Sequence, residues 1–449
     1  MRLYPPPPDP YKIIQENFAK SPEKMNEFLS MTIDSDNGSY LHWEDLKRRQ
    51  PPTGMTIQEY WAALRIARHG ASRSISLYQK NSDPFSFTEP SFVRSALSNI
   101  DKDACGTLAI ESDVLSRQDS NIYLARSIIE EPFSSSAMEG AATTREVAKE
   151  LIEKNKTPRT NDERMVLNNY LALRLIKNRI NEPLTIDLIL DIHRVVTQGT
   201  LRNPGKCGAL RDEIDNITVS DEISGDIYHI PPCASELPER LNKLCEFANQ
   251  NVDEKNFIHP IIKSIILHFM IGYDHPFVDG NGRTARALFY WSALKHKYWL
   301  LEYVSISKIL KEAPIKYAKS YIETESDRGD LTYFIIYQLK MVLQSIDSLK
   351  SYIESQRIKL NQFNYIINDS SLNHRQSSLL NDIAKNRIQS ITVNEHKNIH
   401  NVVYITARTD LEKLVELNFL KKHKSGKTNY YRATQNLLDK VSSETKSFM

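Results

Sequence analysis

The sequence predicts a mainly α-helical fold that carries one β-hairpin. From Asn121 onward, apolar residues recur mostly at spacings of three and four, as they do along a helix that buries one face. The exception is NITVSDEISGDIYHIPP, residues 216–232, where two short runs rich in Ile, Val and Tyr flank a polar turn that contains glycine. Together these patterns predict a helical domain with a hairpin that Pro231-Pro232 closes.

Length and composition indicate two or three domains in a reducing compartment. The chain has 449 residues, and its formal net charge of +2 gives no global reason to expect a polyanionic partner. The four cysteines form no CxxC pair and no zinc spacing, and MRLYPPPPDPYK lacks the features of a signal peptide. The most apolar stretch, about 261–273, is shorter than the about 20 residues that cross a bilayer. We therefore expect a cytoplasmic protein with free thiols and no membrane contact.

Changes in pattern divide the chain into three segments. Residues 1–100 mix short helical patterns with loops and predict an N-terminal helical region, and residues 101–356 form the long helical segment. The polar stretch NQFNYIINDSSLNH marks a boundary, beyond which 357–449 is a separate domain. There, ITARTDLEKLVELNFLKKHKSGKTNYYRAT predicts a helix from Thr406 to Leu417, a strand, a basic turn and another strand, the order of a winged helix-turn-helix domain.

DNA is a possible partner of this last domain. Its basic turn would meet phosphates, and Arg408 and Lys413 on the predicted helix favour DNA contact. Three acidic side chains on the same helix oppose it: Asp410, Glu412 and Glu416. Protein docking or dimerisation is therefore the favoured hypothesis for this domain.

The segment HPFVDGNGRTAR, residues 275–286, has the composition of a phosphate site. A proline at 276 should end the preceding apolar helix and leave His275 on a loop. Gly280-Asn281-Gly282 allows a tight turn before a new helix, whose unpaired N–H groups favour phosphate oxygens. Arg283 and Arg286 lie one helical turn apart, so both can donate to the same anion.

Two further side chains of this segment add reactive chemistry. Asp279 places a carboxylate at the mouth of the turn, and Mg²⁺ in nucleotide sites is usually held by one carboxylate plus the substrate phosphates. His275 is the side chain here that can take up a proton near neutral pH without a large pKa shift. A base, a metal ligand and an anion site side by side imply transfer of a phosphoryl or nucleotidyl group to a hydroxyl.

At every defined position this segment matches HPFx(D/E)GNGRxxR, the motif of the Fic family, and the sequence resembles that family over about residues 120–340. PGKCGALR (204–211), the hairpin and IHP (258–260) extend the resemblance. It implies a Fic-type helical bundle with a β-hairpin flap, which transfers AMP from ATP to a Ser, Thr or Tyr hydroxyl of a target protein and releases pyrophosphate. KEAPIKYAKSY departs from the family pattern near the adenine site, so the nucleotide base stays open.

The resemblance also implies the role of each motif residue. His275 would be the base that deprotonates the target hydroxyl, and Asp279 would hold Mg²⁺. The ATP phosphates would be bound by Gly280, Asn281, Gly282, Arg283 and Arg286, with Arg286 on the γ-phosphate.

A second segment, SSSAMEGAATTREVAKELIEK (134–154), predicts a helix that inhibits the enzyme. Ser136 and Glu139 fit a capping box, which needs no function. Ser135, Glu139 and Gly140 also fit (S/T)xxxE(G/N), which resembles the inhibitory motif of Fic proteins. By that resemblance, Glu139 would pair with Arg286 and displace the γ-phosphate, and a homodimer that holds the inhibitory helix is a further expectation.

The hairpin is expected to dock the target. Its free edge would pair with an extended target segment through backbone hydrogen bonds, and Tyr228 and Ile230 would clamp the target side chain. The alternative is a hairpin that only packs on the helices. For the whole chain, the alternatives to an auto-inhibited adenylyltransferase are a winged-helix regulator whose Fic core senses nucleotide, an enzyme that removes AMP, or another nucleotidyltransferase.

Overall fold

The computed structural model describes residues 4–20, 25–35, 38–105, 128–220, 225–250, 257–368, 372–384, 388, 390–425 and 428–434. The described residues form two compact units, the first up to Asp347 and the second from Ser348 onward. The fold is mainly helical, as the sequence predicts. None of the helices within these ranges is long and apolar enough to cross a membrane.

The helices that begin in the first unit are α1 (Pro10–Lys20), α2 (Met25–Leu29), α3 (Trp43–Leu46), α4 (Ile57–Ala71), α5 (Ser91–Ala104), α6 (Glu130–Met138), α7 (Arg145–Glu153), α8 (Asn161–Asn178), α9 (Ile186–Thr197), α10 (Leu237–Asn249), α11 (Pro260–Asp274), α12 (Asn281–Lys295), α13 (Ile306–Glu312), α14 (Pro314–Ser326) and α15 (Thr332–Asn368). Its strands are β1 (Arg73–Tyr78), β2 (Pro84–Phe87), β3 (Val219–Ser220) and β4 (Ile227–His229).

The core of this unit is built on α11 and α12. Helix α11 is apolar on all faces and almost wholly buried, which is the composition expected of a central helix. Helix α12 packs along it and also against α8 and α9, while α6 packs against α8 and α13. The turn between α11 and α12 contains the glycine segment, so two closely packed, buried helices carry it.

The predicted hairpin is present as the antiparallel pair β3 and β4, in which Val219 lies opposite His229. The turn residues 221–224 lie outside the described part of the chain. A second antiparallel pair, β1 and β2, was not predicted. Its signal is the alternation in RSISLY, where Ile75 and Leu77 are buried while Ser74 and Ser76 are exposed.

Several predicted helix boundaries are wrong. Helix α15 continues to Asn368, through the polar stretch taken as a boundary, because 357–368 contains neither proline nor glycine to interrupt it. The predicted inhibitory helix over 134–154 is two helices, α6 and α7, which separate after Glu139 where Gly140 has φ +88°. Glycine adopts this left-handed conformation without strain, and it is the usual residue just beyond a helix end.

The second unit contains α16 (His374–Ala384), β5 (Ile391–Thr392), α17 (Val393–His400), α18 (Tyr404–Glu416), β6 (Leu420–Ser425) and β7 (Thr428–Ala433). The strands form one antiparallel sheet in the order β5-β7-β6. Leu379, Leu411 and Tyr431 belong to its core. Helix α18 begins two residues before the predicted Thr406, and residues 426–427 of the basic turn lie outside the described ranges. The winged-helix assignment and DNA binding stay predictions.

Candidate functional site

His275 occupies a left-handed turn at the end of α11. Its φ and ψ are 45° and 57°, and its backbone N–H donates to the carbonyl of Ile271 at 3.1 Å. The next residue, Pro276, has no N–H and cannot continue the helix. A left-handed conformation costs a non-glycine residue about 1–2 kcal/mol. The fold therefore holds His275 in a strained position, just outside the helix, as predicted for a residue on a loop.

The His275 ring is uncharged, and its pKa is shifted much further than the sequence predicted. Its Nδ1 lies 3.2 Å from the carbonyl oxygen of Gly272, which can only accept, so Nδ1 carries the hydrogen. Nε2 then presents its lone pair. Burial lowers the pKa of His275 to about 4, because the charged imidazolium is poorly solvated there. At neutral pH the ring is uncharged, the form that a general base requires.

The glycine turn at the start of α12 has a conformation that excludes other residues. Gly280 has φ +84°, and a Cβ on it would lie 2.5 Å from the Thr197 methyl group. The side-chain amide of Asn281 is buried and makes two hydrogen bonds to the backbone of Phe277, accepting at 3.0 Å and donating at 2.8 Å. Asn281 thus shapes the loop with its side chain and leaves its backbone N–H at the helix start.

Arg286 is bound by the predicted inhibitory segment. Its Nε donates to Ser135 Oγ at 2.9 Å, and its Nη2 donates to the Ser135 carbonyl at 3.2 Å and to Glu139 Oε1 at 2.8 Å. Burial disfavours the charge on Arg286, yet the Glu139 carboxylate raises its pKa above the usual value. The Nε and Nη2 donors of Arg286 therefore already form hydrogen bonds within the chain.

Glu139 also lies against the glycine turn. A Cβ added to Gly282 would overlap Glu139 Oε1 and would stand 3.1 Å from Arg286 Nη1. The carboxylate therefore occupies the space that the missing side chain of Gly282 leaves open. The same space is where an anion bound by the turn and by Arg286 would lie.

The capping-box interpretation of Ser136 is wrong. Ser136 lies near the C-terminal end of α6, where its Oγ donates to the Pro132 carbonyl and accepts from Asn169 Nδ2, each at 2.7 Å. A capping box needs the serine at the first position of a helix. Glu139, three residues later, instead ends the helix and is free to reach Arg286.

Asp279 and Arg283 lie beside the turn in different environments. The Asp279 side chain is 55% exposed, and its Oδ1 accepts from the Gly280 N–H and from Arg283 Nη2 at 3.2 Å. Its other oxygen accepts no hydrogen bond from any residue that the structure describes. Arg283 is buried and donates to the Val196 carbonyl at 2.9 Å, while its Nε has no partner in the described part of the chain.

The Asp279 carboxylate fits an Mg²⁺ ion that the phosphates of a bound nucleotide also coordinate. Within the described ranges, no cluster of three or more His, Cys, Asp or Glu side chains could hold a metal ion. One exposed carboxylate whose second oxygen accepts no hydrogen bond from the described residues, beside the predicted phosphate site, is the arrangement in which substrate phosphates would complete the coordination of Mg²⁺. Asp279 is thus able to contribute to such a site.

The two predicted docking residues differ in exposure. Ile230 is 55% exposed, whereas Tyr228 is half-buried. Between them, His229 is buried and contacts the Tyr273 carbonyl at 2.6 Å and Glu325 Oε2 at 2.8 Å. His229 therefore anchors the hairpin to the end of α11, which leaves Ile230 accessible beside the turn that carries His275.

Two residues that support the site were missed as such. His193 on α9 stacks on Phe277 with a distance of 3.7 Å between ring centroids, and its Nε2 lies 2.9 Å from the Asp279 carbonyl oxygen. Arg211, within PGKCGALR, donates to the His275 carbonyl at 2.8 Å. Neither contact follows from local spacing, because the partners are 86 and 64 residues away.

All four cysteines are free, as predicted.

Part of the chain that carries the site is similar to known proteins. Residues 183–293 match the model of the Fic/DOC family. A protein adenylyltransferase Fic of Nematostella vectensis is 31% identical over 162 residues, which is 35% of each chain. One of Drosophila erecta is 24% identical over 258 residues, 55% of this chain and 46% of that relative. The chain thus spans less than half the length of these curated relatives.

Two solved structures of Fic proteins align with the chain at low sequence identity. A Fic family protein from Desulfovibrio desulfuricans G20 matches 77% of this chain and 96% of its own, with 18% identity and a TM-score of 0.49. A fragment of Fic-1 from C. elegans matches 58% of this chain and 71% of its own, with 23% identity and a TM-score of 0.43.

Proposed function

We propose that this chain, whose residues 183–293 form a Fic/DOC domain, is an auto-inhibited protein adenylyltransferase. It transfers AMP from ATP to a Ser, Thr or Tyr hydroxyl of a target protein. The observation that carries the proposal is the Glu139 carboxylate on Arg286, directly over the glycine turn and beside an uncharged His275. The names of the relatives, protein adenylyltransferase Fic, support the same activity.

The reaction uses His275 as general base. Nε2 takes the proton of the target hydroxyl while the hydroxyl oxygen attacks the α-phosphorus of ATP. The new bond joins that oxygen to the α-phosphorus, and the bond from the α-phosphorus to the bridging oxygen of the β-phosphate breaks. Pyrophosphate leaves with both electrons of that bond. General base catalysis of this kind contributes about 10²–10⁴-fold to a rate.

The glycine turn and Arg286 bind the phosphate chain in this proposal. Backbone N–H groups at the start of α12 point at the anion, and the guanidinium of Arg286 binds the γ-phosphate through forked donors. Mg²⁺, held by Asp279 and the phosphates, would neutralise charge on the phosphate chain. The Nε of buried Arg283, which has no partner among the described residues, is a further donor beside the turn.

Glu139 inhibits by competition. While its carboxylate is paired with Arg286, the γ-phosphate loses its main cation and meets a like charge at the turn. ATP then binds with its α-phosphate out of line with the attacking hydroxyl. Because misplacement by about 1 Å can reduce a rate about 100-fold, this contact is enough to silence transfer.

The hairpin docks the target in this proposal. An extended segment adds to its edge through backbone hydrogen bonds, and Ile230 and Tyr228 contact the side chain that carries the hydroxyl. The anchoring of His229 to the end of α11 keeps the hairpin beside His275.

The test is the transfer of label from ATP labelled in its α-phosphate, with Mg²⁺, to protein in a cell lysate. We expect strong labelling by the Glu139→Gly variant, weak labelling by the unchanged chain, and none when His275→Ala is added to Glu139→Gly. Label from the γ-phosphate should not rise above that of the lysate alone when Glu139→Gly is added. Binding of ATP by Glu139→Gly without any transfer of label would instead favour the nucleotide-sensing regulator.

A further inference from the structure

The strained turn at His275 is held by one arginine. Arg211 lies in the loop before β3 and is 7% exposed. Its Nε donates to the His275 carbonyl at 2.8 Å, its Nη2 to the Asp274 carbonyl at 3.3 Å, and its backbone N–H to the Pro276 carbonyl at 2.9 Å. Three consecutive carbonyls, centred on the left-handed residue, thus accept hydrogen bonds from the same residue.

The same guanidinium also holds the hairpin. Arg211 Nη2 donates to the carbonyl of Pro232 at 2.6 Å, at the point where the chain leaves the hairpin. On the other side, His229 Nε2 donates to the Tyr273 carbonyl, which only accepts. Every carbonyl from Tyr273 to Pro276 is therefore bound by Arg211 or by His229. The turn that carries His275 and the hairpin beside it are joined through these contacts.

We propose that Arg211 is a positioning residue: it maintains the left-handed turn that presents His275 and couples this turn to the target-docking hairpin. The inference rests on the proposed transfer reaction. Arg211 touches no reacting atom and acts through His275. Backbone strain at a functional site persists only when the surrounding contacts over-determine it, and the planar fork of an arginine can bind several carbonyls at once. A lysine has one nitrogen and cannot replace the fork.

The test compares Arg211→Lys with Arg194→Lys in the Glu139→Gly background. Arg194 lies on the neighbouring helix α9, where its side chain pairs with Asp191 at the surface. For Arg211→Lys we expect the maximal labelling rate to fall at least about 10-fold. The dissociation constant for ATP, measured by calorimetry, should change less than about 2-fold, because Arg211 does not contact the glycine turn. Arg194→Lys should change neither quantity.

A second measurement is independent of catalysis. His275→Gly removes the strain of the left-handed turn, since glycine adopts it freely. With Arg211→Lys we therefore expect residues 273–277 to leave the left-handed turn in part when His275 is present, and to keep it in the His275→Gly background, which backbone NMR chemical shifts would measure. Hydrogen exchange of the backbone at 273–277 should accelerate in Arg211→Lys but not in Arg194→Lys.

Several outcomes would overturn the inference. One is a left-handed turn at His275 that persists in Arg211→Lys, or unfolding of Arg211→Lys in both backgrounds, since Arg211 would then not be a residue that maintains the turn. Another is unchanged exchange at 273–277. A third is loss of ATP affinity in step with loss of rate. If Glu139→Gly transfers no label at all, the proposed function fails, while the chemical-shift and exchange measurements still decide the role of Arg211.

Discussion

Glu139 Oε1 lies 2.8 Å from Arg286 Nη2, although 147 residues separate the two in sequence. The arginine side chain is 4% exposed and the glutamate side chain 28% exposed. A buried guanidinium without an anion is strongly unfavourable, so Arg286 needs a negative partner in every state of the site. In this structure the partner is a carboxylate of the chain itself, and in the proposed active state it is a phosphate.

Replacement of Glu139 should separate the contribution of its charge from that of its bulk. We expect Glu139→Gly to raise the labelling rate about 100-fold, and Glu139→Gln to raise it less, because the amide still accepts a hydrogen bond from Arg286 but carries no charge. The measurement is the initial rate with α-labelled ATP. Glu153→Gly, at the exposed end of α7, is the matched control and should leave the rate unchanged. Equal rates for Glu139→Gly and the unchanged chain would refute inhibition by this contact.

Gly282→Ala should weaken nucleotide binding once Glu139 is gone. The added methyl group would occupy the space above the turn, within 3.1 Å of Arg286, where the phosphate chain is proposed to lie. In the Glu139→Gly background we expect the dissociation constant for ATP to rise about 10-fold or more, since about 1.4 kcal/mol corresponds to a factor of ten. Calorimetry measures this. Gly70→Ala, whose methyl group would meet no atom within 4 Å, is the control.

Arg286→Lys in the Glu139→Gly background should lower ATP affinity by a similar factor. A lysine keeps the charge but loses the forked donors that bind two oxygens together. The readout is again the dissociation constant for ATP, compared with that for AMP, which lacks the γ-phosphate. AMP affinity should change little. A parallel loss for both nucleotides would mean that Arg286 supports the fold of the site instead of binding the γ-phosphate.

The labelling rate of Glu139→Gly should be nearly independent of pH around neutrality. His275 acts as a base only when uncharged, and burial lowers its pKa to about 4, so protonation removes the base only as the pH approaches that value. We expect a flat rate between about pH 5.5 and 8, measured at saturating ATP. An inflection near pH 6.5, the ordinary value for histidine, would show that the ring is solvated during the reaction.

Asn281→Ala should destabilise the protein. The substitution leaves the buried N–H and carbonyl of Phe277 without their partners, and an unsatisfied buried group costs about 1–3 kcal/mol. Urea unfolding measures the loss. Asn178→Ala, at the exposed end of α8, should cost little. A difference below about 0.5 kcal/mol between the two variants would be within the range of ordinary surface substitutions and would contradict the role assigned to the Asn281 amide.

Elements with a strong local signal were predicted well. Pro276 and the glycines that follow fixed the end of α11 and the start of α12, and alternation with a glycine turn identified β3 and β4. Where local signals were weak or ambiguous, the predictions failed. Ser136 and Glu139 had the spacing of a capping box, but α6 begins six residues before Ser136, because Glu130 and Pro132 start a helix equally well.

Contacts between distant segments could not be predicted from sequence patterns within one segment. The donors that hold Tyr273 to Pro276 come from Arg211 and His229, and an isolated arginine or histidine carries no sign of which carbonyl it will bind. The inhibitory pairing was proposed only through resemblance to a family. Spacing within 134–154 could not have indicated Arg286 as the partner of Glu139.

The sequence by itself determined the chemical groups of the site, because a histidine, a bare glycine turn and two arginines within twelve residues are adjacent through the chain and need only one helix end and one helix start to be arranged. Tertiary structure alone decided their state. Packing of α6 against α8 and α13 brings Glu139 to Arg286, burial makes His275 neutral, and Arg211 maintains its turn. Each depends on which surfaces exclude water together, a property that no single stretch of sequence contains.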